Sequence, residues 1–541
     1  MISSASQTQQ RQFLLDAAIS LTRVEGWRRS GVAFGFGVLT ATALAPYYFL
    51  PALLLGLSGL VFLLDSTRTA RRPLRSAFVT GWAFGFGYFL FGMYWLAFAF
   101  LVQAEQFAWM IPIAVPAFTG FLGLFVGGAC LLTALAWRQP SFGKGAMRLF
   151  PFVAAFCLFE FARGTVLTGL PWNLVGQSVA GNALLAQLAA WVGPYGLSLV
   201  VMLICVSPAG ALDIERKVWR LRPLACGLLG IVGVVVFGAV RLSLPVPPSV
   251  SDTHLVIAQP NIPQREKFDP DKMIPNFERL VAMTAEAVPE GGRALAVWPE
   301  NAFPFLAQDP GAPAFFGAAL PATTHLLSGT YRSYEVDGQR KDANSAVFFG
   351  ATNGLGQKPV AGVYDKHHLV PFGEYLPLKG FVTALGLSQL APVQDGFTPG
   401  PGPTTIEMDG IRFAPLICYE DVFPLALYPK DNRPDLLVVV TNDAWFGDNA
   451  GPRQHLDISR LRAIESGLPM ARSANTGISG LFNGKGQLLD QIPLYEEGIL
   501  TAPLPPALKR PLYDRVGTPI FALLLLLVAS FPRISGLARW G

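Results

Sequence analysis

Charge is scarce in this chain. Asp, Glu, Lys and Arg supply 14% of the 541 residues while hydrophobic residues supply 52%, a balance too apolar for an ordinary soluble enzyme. The chain belongs in a membrane. Cysteine and histidine are also few, five of each. Cys130, Cys157, Cys205 and Cys226 lie in strongly apolar segments, where a buried thiol acts as a small inert hydrophobe. Cys418 is the only cysteine in the long polar stretch, so nothing obvious can pair with it in a disulfide. His254, His325 and His455 are scattered, and His367 and His368 are adjacent, so no ligand-spaced set for zinc is expected. The formal charge of +5 gathers into no stripe with interleaved aromatics, which argues against nucleic acid. Residues 11 to 30 lack a small-residue cleavage site behind a long apolar core, and no removable signal peptide is expected.

Long apolar runs are plentiful. They lie at roughly 31–45, 48–64, 77–102, 108–137, 148–166, 188–211, 221–241 and 516–532, most near the ~20 residues that a spanning helix needs. Eight spans are expected, or seven if the first two runs, split by Ala45-Pro46-Tyr47-Tyr48, form one broken helix. Basic residues alternate between the runs. Arg23, Arg28 and Arg29 precede the first, and Arg68, Arg71, Arg72 and Arg75 follow the second. Arg138, Lys144 and Arg148 follow the fourth, Arg216, Lys217, Arg220 and Arg222 the sixth, and Arg533 and Arg539 the last. The loops around Pro46, Gln103 to Gln106 and Thr168 to Gln187 carry none. Because Lys and Arg stay on the cytoplasmic side, both termini are expected inside and the polar segment outside. The expected organisation is a transmembrane domain over 1–241, an extracytoplasmic domain over 242–515, and a last helix with a short tail over 516–541.

Two features of the spans need a reading. Glu160 and Arg163 are ionisable residues within a run, and an i, i+3 pair near an interface is expected to be structural. Ala-Phe-Gly-Phe-Gly recurs at 33–37 and 83–87. No strand precedes either copy, so small residues for close helix packing explain it.

The outer segment alternates strands and helices, which predicts an α/β domain. Strands are expected at His254 to Gln259, Ala294 to Trp298, Leu326 to Gly329, Ala346 to Phe349, Arg412 to Ile417 and Leu436 to Val440, with helices at Phe277 to Ala287 and Leu456 to Ser466. Three strands run into polar clusters: Val297-Trp-Pro-Glu-Asn301, Leu416-Ile-Cys-Tyr-Glu-Asp421 and Val440-Thr-Asn-Asp-Ala-Trp-Phe-Gly447. Ligands of open α/β sheets bind outside the carboxyl ends of the strands, so Glu300, Cys418 and Asn442 are expected at one crevice. Tyr364 to Tyr375 adds Lys366 and Glu374.

Trp298-Pro-Glu300, Lys366-His-His-Leu-Val-Pro-Phe-Gly-Glu374 and Ile417-Cys-Tyr-Glu420, in that order, resemble the carbon–nitrogen hydrolase (nitrilase) superfamily and its Glu-Lys-Cys triad. With membrane helices on both sides, the chain resembles the branch of that superfamily that N-acylates apolipoproteins at the bacterial inner membrane. Asn261-Ile-Pro-Gln264, Asn442 to Gly447 and Gly451-Pro-Arg-Gln-His455 extend the likeness over nearly the whole chain. The resemblance implies a periplasmic αββα sandwich in a multi-pass protein. It also implies acyl transfer from a phospholipid, usually phosphatidylethanolamine, to the N-terminal S-diacylglyceryl-cysteine of an apolipoprotein. The expected partners are that donor, that acceptor and membrane lipids, with no cofactor and a monomeric chain. The family's roles carry over as Glu300 base, Lys366 cation and Cys418 nucleophile.

The chemistry stands without the family. A thiol with a pKa near ~8.5 is a poor nucleophile at neutral pH until a base takes its proton or a cation stabilises the thiolate. Glu300 and Lys366 can do those jobs, and Lys366 with the N–H of Tyr419 can stabilise the oxyanion of an attacked ester. Glu374 either orients Lys366 and assists proton transfer or is a solvated loop carboxylate. Glu420 either contacts substrate or forms a salt bridge shaping the turn. Trp445 either lines an acyl pocket or is core, and Phe268 stands where the family often places Trp. Two rivals remain: a membrane-anchored amidase using the same triad, for which one span would suffice, and a transporter, for which more polar residues should line the spans.

Overall fold

The computed structural model describes residues 12, 15–213, 218–249, 252–267, 269–377, 396–424 and 426–535. Two compact units emerge: Met1–Leu244 with Asn449–Asp457 and Pro511–Gly541, and Pro245–Asp448 with Ile458–Arg510.

Each apolar run of the first unit is a helix: Gly26–Ala41, Pro51–Ser66, Pro73–Gly92, Ile111–Ala136, Leu149–Arg163, Ala189–Cys205, Leu221–Ser243 and Pro519–Ser535. The first two runs are therefore separate helices, the second opened by Pro51 at its first turn. Among the described residues, three stretches, Ala104–Ala136, Gly145–Arg163 and Leu221–Ser243, are long and apolar enough to cross a membrane by themselves; Pro51–Ser66, Ala189–Cys205 and Pro519–Arg533 are apolar but shorter. Leu221–Ser243 turns Leu228, Leu229, Val236 and Val240 outward, each more than half exposed, and buries only Gly227 and Gly238. An outward apolar face with all backbone bonds internal suits lipid.

The two Ala-Phe-Gly-Phe-Gly copies are halves of one contact. A Cβ on Gly37 would lie 2.0 Å from the Phe84 carbonyl oxygen, and one on Gly87 would lie 2.3 Å from that of Phe34. Each copy thus supplies the glycine that the other's backbone approaches. Glu160 and Arg163 are both buried and brace one loop. The Val175 N–H donates to Glu160 Oε1 at 2.7 Å, while Arg163 Nη1 donates to the carbonyls of Leu170 and Trp172 at 2.5 and 2.7 Å.

The unit has two distinguishable ends. At one, Arg148 pairs with Asp65 at 3.1 Å and donates to the Ala209 carbonyl at 2.9 Å, and Arg68 donates to the Gly143 carbonyl at 2.7 Å. The arginine-bearing loops after the second and fourth runs thus meet at the end of the sixth run. At the other, Gln454 Oε1 accepts from Trp95 and Trp172 at 3.2 and 2.8 Å, and its amide donates to the carbonyls of Ala45 and Gly92 at 3.2 and 3.1 Å. The segment 449–457 that carries Gln454 belongs to the first unit, although its neighbours in sequence do not.

In the second unit the strands are β1 His254–Gln259, β2 Ala294–Val297, β3 Thr324–Val336, β4 Gln339–Phe349, β5 Val360–Asp365, β6 Ile406–Met408, β7 Ile411–Ile417, β8 Leu436–Thr441, β9 Met470–Ala474, β10 Ser479–Phe482, β11 Leu488–Ile492 and β12 Gly498–Pro503. They form two six-stranded sheets, ordered β12-β1-β2-β3-β4-β5 and β11-β10-β9-β8-β7-β6. β1, β2 and β3 run parallel, as do β7, β8 and β9. Period-two alternation sorts the side chains. Leu255, Ile257, Leu295 and Val297 share a core with Phe413, Ile417, Val438 and Val440 between the sheets. Val256 and Ala258 face the other way, onto Phe277, Leu280 and Phe316 of the helices Pro270–Ala287 and Ala312–Ala319. On the outside of the second sheet, Arg472 of β9 donates to Ser459 at 3.0 Å, within the helix Ala450–Ser466. The layers are helix, sheet, sheet, helix.

Candidate active site

Glu300 follows β2, Lys366 follows β5 and Cys418 follows β7. β5 is antiparallel to β4, which is antiparallel to β3, so β2, β3 and β5 share a direction and deliver Glu300 and Lys366 at the same edge. β3 and β4 continue past that edge as a hairpin in which Tyr331 stands opposite Asn344.

Lys366 is the hub. Its buried ammonium donates to Glu374 Oε1 at 2.9 Å and lies 3.7 Å from Glu300 Oε1. The Asn344 amide bridges the same oxygens, donating to Glu300 Oε1 at 2.7 Å and Glu374 Oε1 at 2.8 Å. The Val370 N–H holds Glu374 Oε2 at 2.7 Å, so Glu374 is a buried, engaged carboxylate. Burial works to discharge Lys366, yet Glu374 and Glu300 outweigh it and hold the ammonium charged.

Cys418 sits at the turn out of β7 with φ +50°, a left-handed conformation uncommon for a side-chain-bearing residue. It is partly buried and within electrostatic reach of Glu300 and Lys366. Burial and then the Glu300 charge push its thiol up, against Lys366 and a hydrogen bond with Thr441. The resting sulfur is a thiol beside a carboxylate that can take its proton.

Glu420 fastens the two loops together. Its Oε1 accepts from the N–H groups of His367 and His368 at 2.8 and 3.2 Å, its Oε2 from the Ile417 N–H at 2.8 Å, and both accept from the Tyr364 hydroxyl at 2.8 Å. Burial opposes its charge, but His367 and the Ile417 N–H hold the carboxyl below its usual range. This bonding ties the Lys366 loop to the cysteine turn.

Residues 36–207 match the Apolipoprotein N-acyltransferase N-terminal domain family and residues 257–512 the Carbon-nitrogen hydrolase family. The Apolipoprotein N-acyltransferase of Rhodopseudomonas palustris is 36% identical over 93% of this chain and 94% of its own length. That of Caulobacter vibrioides is 38% identical over 93% and 94%. The chain belongs to the apolipoprotein N-acyltransferase family. Among solved structures, an amidase of Nesterenkonia AN1 from the nitrilase superfamily is similar over 48% of this chain and 93% of its own, at 20% identity and a TM-score of 0.32. Family membership and the apolar helices together make this a multi-pass membrane protein carrying a carbon–nitrogen hydrolase domain.

The other expected site residues fall as follows. Tyr419 is buried directly after Cys418, edge-on to Phe423 with ring centroids 5.0 Å apart. Trp445 is 42% exposed on a short turn after β8. Phe268 lies outside the described residues. Asn442 is bonded within the framework, its amide donating to Gln264 at 2.7 Å and its oxygen accepting from Asn475 at 3.1 Å. Three residues of the cluster escape motif reading. Asn344 is a buried amide on a strand, a polar signal among Ala343, Ser345 and Ala346 that invites inspection. Tyr331 accepts from the Asn301 amide at 2.9 Å, its phenol raised by burial and then by Glu300 and Glu374. Lys267 donates to the Glu300 carbonyl oxygen at 2.6 Å. No cluster of His, Cys, Asp and Glu suited to a metal occurs among the described residues.

Proposed function

We propose that the protein transfers an acyl chain from a phospholipid, phosphatidylethanolamine being the expected donor, to the α-amino group of the N-terminal S-diacylglyceryl-cysteine of apolipoproteins, through a thioester on Cys418. The observation that carries the reading is the buried Lys366 ammonium shared by Glu300 and Glu374 beside the Cys418 thiol, in a chain of this family.

Glu300 takes the thiol proton as sulfur attacks the ester carbonyl, and the charge that develops on oxygen meets Lys366 and the backbone N–H of Tyr419. Each such donor is worth roughly 3 to 4 kcal/mol in related sites. Collapse expels lysophospholipid, which takes the proton from Glu300, and leaves the thioester. The incoming amine then attacks the thioester carbon, Glu300 accepts its proton, and the proton passes to the departing Cys418 sulfur. The result is an amide and a regenerated thiol, with ping-pong kinetics. Glu374 and Asn344 position Lys366 and Glu300, Glu420 positions the turn, and Trp445 borders the acyl chain. The convergence of the arginine-bearing loops supports an inner-membrane orientation with the catalytic unit on the periplasmic side.

The test is to incubate detergent-purified protein with a phospholipid carrying a tagged acyl chain, omit the acceptor, and map the label by peptide mass spectrometry. A hydroxylamine-labile acyl group on Cys418, released by a diacylglyceryl-cysteinyl peptide, is the expected result. Intact protein that takes no label and hydrolyses small amides instead would overturn the reading in favour of an amidase.

A further inference from the structure

Lys267 is a second ammonium at the candidate site, and the transfer scheme does not use it. It lies on the loop leaving the carboxyl end of β1 and reaches the loop leaving its parallel neighbour β2, where Nζ donates to the Glu300 carbonyl oxygen at 2.6 Å. An ammonium has three N–H donors. That carbonyl is its one hydrogen-bond partner among the described residues, so two donors remain, on a side chain that is only partly buried. Its charge acts on both Glu300 and Cys418. The nearby carboxylates are engaged elsewhere: Glu300 with Asn344 and Lys366, Glu374 with Lys366, Asn344 and the Val370 N–H. Lys267 therefore makes no direct ion pair among the described residues, although Glu300 attracts it through space.

We propose that Lys267 binds the phosphodiester of the acyl donor through its two remaining N–H groups and so holds the donor's ester against Cys418. The inference rests on the acyl-transfer reading given above. In a glycerophospholipid the acyl esters and the phosphodiester hang from one three-carbon glycerol, so a cation in electrostatic reach of the nucleophile also meets the phosphate when an ester lies at the sulfur. Ammonium–phosphate hydrogen bonds are charge-assisted, roughly twice as strong as neutral ones. Burial lowers Lys267 to about 8 against the raising influence of Glu300 and Cys418. A bound phosphodiester would give this ammonium a directly bonded anion.

The test offers the full-length protein two donors with the same acyl chains, phosphatidylethanolamine and uncharged diacylglycerol, and times the appearance of hydroxylamine-labile acyl on Cys418. The readout is the ratio of kcat/KM for the first donor over the second. Lys267→Met is expected to lower that ratio about 10- to 100-fold, mainly through KM, the range that a lost charge-assisted bond implies. Lys267→Gln, which keeps a donor for the Glu300 carbonyl and removes only the charge, should fall in the same direction, and Lys267→Arg should recover part of the ratio. An unchanged ratio in the glutamine variant, or a wild type that uses both donors equally well, overturns the inference and leaves acyl transfer standing. A wild type whose Cys418 takes acyl from neither donor overturns the acyl-transfer reading and this inference together.

Discussion

Lys366 and Arg472 are both buried cations of the second unit, each shared by two carboxylates, and they differ in what is left unbonded around them. Arg472, on β9, donates to Asp443 at 2.6 Å, Asp421 at 3.4 Å, Ser459 at 3.0 Å and the Ile478 carbonyl at 3.3 Å. One rigid fork thus joins four segments: the turns after β7 and β8, the outer helix and the β9–β10 connection. Around Lys366 the ion pairs are also buried, but among the described residues Asn344 Oδ1 and Asn301 Oδ1 accept no hydrogen bond and a thiol stands alongside. Burial of charge is common to both. A saturated network acts as a strut, whereas a buried acceptor without a partner stores free energy that an arriving donor can release.

Four substitutions press on that contrast. Cys418→Ala should abolish acyl transfer while leaving folding and membrane insertion intact, and activity in a purified variant would remove the nucleophile from the scheme. Arg472→Met leaves Asp421 and Asp443 buried without their cation and should destabilise the protein by about 3–5 kcal/mol, read as a lower unfolding midpoint. A midpoint close to wild type would mean that this cluster is no strut. Lys366→Arg keeps the charge but puts a planar guanidinium in the place of a compact ammonium, and should cost about 100- to 1000-fold in turnover with little change in melting. Near-normal turnover would show that charge alone matters there.

The smallest expected effect concerns a third buried pair, Arg462 and Glu465, 2.8 Å apart, where one cation serves one carboxylate. Burial pushes Glu465 up to about 7 from an ordinary 4.5, with Arg462 opposing. The folded protein keeps a proton that the unfolded chain releases, so stability falls as pH rises between those two values and is level above the higher one. Glu465→Gln should remove this dependence, so the variant's melting temperature relative to wild type should rise from pH 4.5 to pH 7.5. A constant difference would mean that Arg462 keeps the carboxylate charged throughout.

Much of the second unit is legible because its central strands are continuous apolar runs ending in polar residues. His254–Gln259 coincides with the expected strand, and Ala294–Val297, Ile411–Ile417 and Leu436–Thr441 differ only at their ends. β9 and β10 are harder. Met-Ala-Arg-Ser-Ala and Ser-Gly-Leu-Phe are apolar runs broken by Arg and Ser, yet are wholly buried, because Arg472 meets Asp443, Ser473 meets the Ala258 carbonyl and Ser479 meets Gln259. Those partners are remote in sequence, and no local pattern announces them.

The cluster divides along the same line. Glu300, Lys366, Glu374 and Cys418 stand next to strand ends within motifs. Asn344 and Tyr331 matter through cross-strand register, and Lys267 through one hydrogen bond to a residue 33 positions away. In the first unit the apolar runs reveal the helices, and the glycine repeats hint at close packing. That one copy packs on the other, or that Gln454 joins Trp95 to Trp172, needs coordinates.

The left-handed backbone at Cys418 sets activity against robustness. A residue with a Cβ in that conformation costs roughly 1–2 kcal/mol, a cost that glycine escapes. The turn that presents the proposed nucleophile would thus be steadier with no side chain at all. Drift toward a more durable but inert protein is open at this single position, and only the need for sulfur holds it back.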